Sequence, residues 1–463
     1  MKYLTLLIIV LSGCSVGPKY TPPCDDLPCT WSATPSEKIQ QSSCEDSEWW
    51  HNFNDPVLNQ LIDLASSQNL DLQIAAIRIL QARTELTGKK AELYPRLDGS
   101  AACGYACLPK HIVKHCLKRT TNFYEVGFDA EWEIDLFGMK AHEIKAAQAQ
   151  IEATQENLCG MWLTLSAEIA KNYITLRHDQ LRLNLLQESA QLQIEWIARI
   201  QQLSARGFNS EIDFNNAQGE LHALQAQIPP VQLTIDQTIN RLSILLGYNP
   251  GDLVEFLTPY KALPELPCSQ SIGLPSDLLR RRPDILKAER ELAAATEKVG
   301  SAIAALFPRF SLRGFIGDIA THSGHLFNPS SATALAGPQL LVPIFNSRLL
   351  MQSVEYNKLE TQVALLNYQK TVLEALEEAE NSIAAYASEE KRNNELAEAL
   401  QNYRNSAQFT EQLYGRGLND FASVVLAQKS LLSAQAEFAQ SQATLLLNSI
   451  ALYKAIGGGW SCE

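Results

Sequence analysis

Two hydrophobic periods alternate along this chain. Between Phe123 and Leu136 the apolar residues recur at every second position: Tyr124, Val126, Phe128, Ala130, Trp132, Ile134 and Leu136 share one face. Phe123, Glu125, Gly127, Asp129, Glu131, Glu133 and Asp135 share the other. That period predicts a strand with one apolar and one acidic face. It is longer than the roughly 9–11 residues that a tilted strand needs to cross a bilayer. Leu97, Gly99, Ala101, Cys103 and Tyr105 give the preceding strand one apolar side, so strands are expected at about 97–106 and 123–136.

After the strands the period changes. Ile144, Ala147, Ile151, Thr154, Leu158, Met161 and Leu165 step by three and four, a heptad seam that predicts one helix over about 138–205. No proline and one glycine interrupt Lys140 to Arg206, and neither occurs from Asn346 to Tyr414, where a second helix is expected over about 346–414. At 1.5 Å per residue each extends roughly 100 Å, which points to a coiled coil or helical tube.

The elements recur. Leu93-Tyr94-Pro95-Arg96-Leu97 returns as Leu306-Phe307-Pro308-Arg309-Phe310, Arg206-Gly207 as Arg416-Gly417, and Leu246-Gly247 as Ile456-Gly457. The chain is therefore read as two repeats of about 210 residues, 49–247 and 276–457. A proline-rich linker over 248–275 joins them, and 458–463 form a tail. Each repeat reads helix, two strands, very long helix, break, helix. The first helix is expected from about Asp55 to Leu93, and its counterpart from near Pro275 to Leu306. Repeat two supplies weaker strands at about 309–318 and 333–342. The expected fold is mainly α with a β-barrel part and a two-fold internal repeat. Four strands cannot close a barrel in lipid, where open edges are forbidden, so several copies must combine; two would give eight strands and three would give twelve.

The N-terminus adds an address. Lys2, an apolar run to Leu11 and then Ser12-Gly13-Cys14 read as a signal peptide over 1–13 that ends before Cys14 as in a bacterial lipobox. Cys14 is the expected lipidation site, and the covalent lipid is the only attached group expected, with no cofactor or metal. Ser15 in place of Asp favours the outer membrane. Residues 14–48, with Pro18, Pro22, Pro23, Pro28 and Pro35, read as an extended tether. Nine further cysteines leave at least one free or pairing between chains. Cys103, Cys107, His111 and His115 step by four, which would make a metal site on a helix; on the strand and loop expected there, a loop disulfide or thiols without a site role fit better. The net charge of −13 argues against a nucleic-acid partner.

Several blocks then resemble the TolC-like outer membrane factor family, in its NodT-type lipoprotein branch. They are Gly13-Cys14 with Gly17-Pro18-Lys19-Tyr20, Trp49-Trp50 with Asp55-Pro56, Asn69-Leu70-Asp71-Leu72, Arg280-Arg281-Arg282-Pro283-Asp284-Ile285, and Pro343-Ile344-Phe345. The resemblance implies a homotrimer with a 12-stranded outer-membrane barrel and a long α-helical periplasmic tunnel. It implies a passive exit duct of a tripartite efflux pump for small compounds, working with a periplasmic adaptor and an inner-membrane transporter of RND type. The same scaffold serves protein secretion, and a structural envelope lipoprotein is the reading from another class. No nucleophile, acid–base or phosphate-loop constellation points to an enzyme.

The candidate site residues follow. Glu125, Asp129 and Glu131 are expected to line the channel, where rings of carboxylates favour cations. The breaks after the long helices are expected to be hairpin tips, and the resemblance implies that these tips meet the adaptor and gate the tunnel. Arg206, Gly207, Asn209, Ser210 and Asp213 carry one tip, and Arg416, Gly417, Asn419 and Asp420 the other. The resemblance places a gate acid at Asp213. Where some relatives carry acids after the second turn, this chain has Ser423 and Leu426.

Overall fold

A computed structural model describes residues 16–23, 28, 30–32, 39–41, 48–107, 120–204, 211–266 and 270–458. It divides into two compact units. The first holds residues 77–155 and 287–370 together with the N-terminal segment to residue 24. The second holds 25–76, 156–286 and 371–463.

In chain order, β1 (Ile39–Gln41) precedes a 3-10 turn at Trp49–Phe53, α1 (Pro56–Gln68), α2 (Leu70–Ala91), β2 (Arg96–Cys107) and β3 (Thr120–Ile134). Next come α3 (Met139–Ser204), α4 (Glu211–Leu245), α5 (Val254–Leu257), β4 (Gln270–Ile272), α6 (Leu278–Arg281) and α7 (Pro283–Ala304). β5 (Arg309–Ala320), β6 (Ala332–Leu341), α8 (Ser347–Gly415) and α9 (Phe421–Ala455) complete the chain. The protein is mainly helical with a minority of strands, and α3 and α8 run 66 and 69 residues. Among the described residues no helix is long and apolar enough to cross a membrane.

In the first unit β2, β3, β5 and β6 form one antiparallel sheet in that order, which leaves β2 and β6 as edges. Two hairpins from the two halves of the chain meet at β3 and β5, in register from Tyr124 opposite Ala320 to Ile134 opposite Phe310. Below the sheet α7 packs on α3. His142, Ala146, Ala149 and Ala153 are buried on α3, and Ala149 packs with Ala293 and Ala294 of α7. The expected seam therefore shifts. Ile151 and Leu165 are buried, but Ile144, Ala147, Thr154, Leu158 and Met161 are only half-buried. Small side chains let the two helices approach closely, so the alanine face wins the contact over the bulkier stripe beside it.

In the second unit the core gathers Trp49, Phe53, Leu58, Leu61, Ile62, Ile169, Ile174 and Tyr453, all fully or nearly fully buried. Asp55 caps α1 by accepting from the Val57 and Leu58 amides at 2.8 and 3.3 Å. Its other oxygen takes the Tyr173 hydroxyl at 2.6 Å. Burial and then that bond raise the Tyr173 hydroxyl above the usual phenol range. Arg177, buried beside Tyr173, donates to the Leu257 and Pro259 carbonyls at 3.3 and 3.0 Å and so pins the inter-repeat linker to α3.

The expected continuous first helix of each repeat is broken, at Asn69 in one and at Arg282 in the other. The two breaks are equivalent. Asn69 donates to the Leu245 carbonyl at the end of α4, and Arg282 donates to the Ala455 carbonyl at the end of α9, each at 2.7 Å. Gly247 and Gly457, with φ of 76° and 70°, end those helices by reversing the chain against the Gln68 and Arg281 carbonyls. Each repeat thus closes on itself by a side-chain donor in a helix break that satisfies an orphan carbonyl of its last helix. A second departure is Pro229-Pro230, which lies inside α4 instead of ending it. Val231 and Ile235 are buried just beyond, so packing holds the helix together across the missing amides.

Candidate functional site

The two faces of the sheet differ in chemistry along β2 and β3, and more loosely in β5 and β6, where Asp318 falls on the first face and Phe315, Leu335 and Leu341 on the second. Residues directly opposite in register share a face, so Leu97, Tyr105, Phe128, Trp132, Leu312, Ile316 and Leu340 lie together, and all are exposed. A broad exposed apolar sheet face is stable against lipid or a partner and costly against water. Trp132 sits near its lower end and donates to the Leu93 carbonyl at 2.8 Å, an amphipathic placement suited to a membrane boundary.

The opposite face holds the predicted acids, and it also holds bases that a single strand could not reveal. Glu131 lies opposite Arg313, whose Nε and Nη2 donate to it at 3.0 and 2.7 Å. Asp98 pairs with Arg96 at 2.6 Å. Glu133 lies 3.9 Å from Lys140. Asp135 accepts from the Ala141 amide at 2.8 Å and so serves helix entry, not the face. Among the described residues neither Glu125 nor Asp129 makes an ion pair. Glu125, Asp129 and Glu131 thus share one face, with Glu131 paired to Arg313 there and Glu125 and Asp129 without an ion pair among the described residues.

The second tip is fully described. The Leu418 amide donates to the Leu413 carbonyl at 3.0 Å and the Gly417 amide to the Tyr414 carbonyl at 2.9 Å. With Gly417 at φ 72°, this is a Schellman stop, which favours glycine because a side chain strains the left-handed backbone. Asp420 then starts α9. It accepts from the Ser423 amide at 3.0 Å, and the Ser423 hydroxyl also donates to it. Those two bonds, the hydroxyl first, hold the Asp420 carboxyl below its ordinary value. Its acid is accounted for as a helix cap. Leu413, Leu418 and Leu426 are exposed around the turn, and the Asn419 side-chain carbonyl accepts from the Asp420 amide at 3.0 Å. Arg206, Gly207, Asn209 and Ser210 lie outside the described residues, as do Cys14, His111, His115 and Cys116; Asp213 falls in α4 with its side chain not described. Cys103 and Cys107 are exposed free thiols on β2.

Above the tip, α3, α4, α8 and α9 enclose a cavity of about 380 Å³ whose lining includes Trp196, Arg199, Glu220, Arg404, Glu411 and Lys429. Lys429 pairs with Glu220 at 3.2 Å, the Arg199 guanidinium lies 5.2 Å over the Trp196 ring, and Trp196 meets Tyr414 edge-on at 5.8 Å. These residues carry no motif in the sequence. They converge only because two helical hairpins from distant parts of the chain run side by side.

The family model "Outer membrane efflux protein" matches residues 61–248 and 274–458. The solvent efflux pump outer membrane protein SrpC of Pseudomonas putida is 32% identical over all of this chain and 99% of its own. Nodulation protein T of Rhizobium leguminosarum bv. trifolii is 28% identical over 98% of this chain and 96% of its own. The solved outer-membrane channel OprN superimposes with a TM-score of 0.88 at 32% identity, over 96% of this chain and all of that one.

Proposed function

This chain belongs to the outer membrane efflux protein family and acts at the outer membrane, and from that premise we propose that three copies join their sheets edge to edge into one barrel. The observation that carries this is the four-stranded sheet itself. It exposes an apolar face, turns a charged face away from it, and leaves β2 and β6 with unpaired edges. Lipid outside, water inside and a copy at each edge satisfy all three at once. Twelve strands then surround an aqueous exit, and the long helices continue it into the periplasm.

In this reading the chain is the passive exit duct of a tripartite pump. A periplasmic adaptor docks on the tips at Gly207 and Gly417, an inner-membrane transporter of RND type supplies the energy, and Cys14 carries a lipid anchor. SrpC is a solvent efflux pump protein, which supports small apolar compounds as cargo over secreted proteins. The test is accumulation. Deleting the gene should raise cellular retention of a fluorescent apolar dye, and restoring the chain should lower it. Unchanged retention together with loss of a secreted protein would favour the secretion reading. For the anchor, Cys14→Ala should abolish labelling by radioactive fatty acid, and labelling that persists would place the lipid elsewhere.

A further inference from the structure

Downstream of the lipobox, Val16 to Tyr20 is not a loose tether. The Val16 amide donates to the Phe137 carbonyl at 3.2 Å, at the point where β3 ends and α3 is about to begin. The Val16 carbonyl lies 3.0 Å from Nε2 of His142, and Nδ1 of the same ring lies 2.6 Å from a carboxylate oxygen of Glu297. One ring thus bridges a backbone carbonyl of the N-terminal segment and a side chain of α7. His142 is 3% exposed and carries this bridge between α3 and α7 inside the first unit.

The backbone is shaped to fit. Gly17 has φ 137°, and a Cβ there would come within 2.7 Å of the Gly300 Cα. A Cβ on Gly300 would come within 2.6 Å of the His142 ring. Two glycines thus let the segment pass directly over the histidine. Tyr20 closes the far end, packing on Ala149, Ala293 and Ala294 while its hydroxyl donates to Glu289 at 2.9 Å.

We propose that His142 and Glu297 form a seat for the chain's own N-terminal segment, which registers the lipid anchor against the β3–α3 junction. A chain spans at most about 3.6 Å per residue, so an anchor two positions upstream of Val16 is tethered within roughly 7 Å of that fixed point. The Phe137 and Phe307 rings stack at 4.7 Å at the same junction, an apolar platform beside the place where the acyl chain leaves the protein. His142 is a positioning residue here. The location of the acyl chain rests on the Cys14 reading above; the seat does not.

The Lys19–Tyr20 bond gives the assay, because trypsin cuts after lysine only when the chain can leave its groove. Full-length protein is purified in detergent, treated briefly with trypsin, and the fragment beginning at Tyr20 is timed by mass spectrometry. His142→Phe, which keeps ring volume and loses both polar contacts, should speed that cut about tenfold or more while other sites keep their rates. Gly300→Ala should do the same by displacing the ring. Equal acceleration at every site, or no change at Lys19 in either variant, overturns the seat. The same ratio should appear in a Cys14→Ala background; its disappearance there would show that the lipid, not His142, holds the segment. A photoreactive fatty acid on Cys14 should cross-link peptides containing Phe137 or Phe307 in the parent and lose them in His142→Phe. Cross-links that persist in that variant contradict the registering role, whereas failure of fatty-acid labelling in the parent contradicts only the Cys14 reading.

Discussion

Replacing Arg282 by methionine asks whether the helix breaks close each repeat through a carbonyl or through ion pairs. The guanidinium, 10% exposed, donates to the Ala455 carbonyl at 2.7 Å and meets Asp284 and Glu378 at 2.7 and 2.8 Å. Taking a charged donor from a buried carbonyl costs about 1.5–3 kcal/mol. The two carboxylates are 46% and 37% exposed, so water rescues them, and each pair adds at most about 1 kcal/mol. Glu378 also keeps Lys454 at 3.5 Å. The sum is about 1.5–5 kcal/mol, most of it from the carbonyl. Asn69→Ala removes the bond to the Leu245 carbonyl and the cap on the Leu72 amide. That is about 1 kcal/mol for the cap and about 1–3 for the stranded carbonyl. A charged and a neutral residue should therefore cost the same. Urea unfolding followed by circular dichroism reads both, at about 0.1 M and about 1 M salt, where the screening length drops from about 10 to about 3 Å. The two losses should match within about 1 kcal/mol and change little with salt. Recovery of Arg282→Met at high salt, or a silent Asn69→Ala, would refute the carbonyl account.

Other outcomes follow from the same structure. Arg313→Ala frees Glu131 and should raise cation preference in planar bilayers, whereas Glu125→Gln with Asp129→Asn should lower it; anion preference unchanged by either set would rule out the lining role. Gly417→Leu with Gly207→Leu should abolish dye export while the protein still reaches the outer membrane, and unimpaired export would reduce the tips to turns. His178, depressed below its ordinary value chiefly by burial, stays neutral in the fold while the unfolded chain takes up a proton, so stability present above pH ~6.5 falls as pH drops below it. His178→Gln should flatten that part of the urea midpoint between about pH 7.5 and 5.5, and an unaltered slope would place the titration elsewhere.

Much of this architecture is written in local periodicity. The two-residue alternation around Phe128 and the glycine at 417 are local signals, because pleat and left-handed backbone act on neighbours in sequence. Asp420 with Ser423 likewise carries the spacing of a helix cap. The breaks at Asn69 and Arg282 were hidden because their partners, Leu245 and Ala455, lie 176 and 173 residues away. Pro283 hinted at the second break and nothing marked the first. The pairing of Glu131 with Arg313 needed the register of β3 against β5, which no single strand encodes. The shift of the α3 contact to its alanine face arose from how closely α7 could approach, a property of two helices together.

Cysteine substitution along β3 addresses the aqueous duct most directly, in protein embedded in outer-membrane vesicles with Cys103 and Cys107 replaced by serine. Cysteines at Glu125, Gly127, Asp129 and Glu131 should react with a charged, water-soluble thiol reagent, and those at Tyr124, Val126, Phe128 and Ala130 should react only with a lipid-soluble one. Uniform reaction with the water-soluble reagent at both sets, or the reverse alternation, would contradict a barrel whose charged face lines the exit.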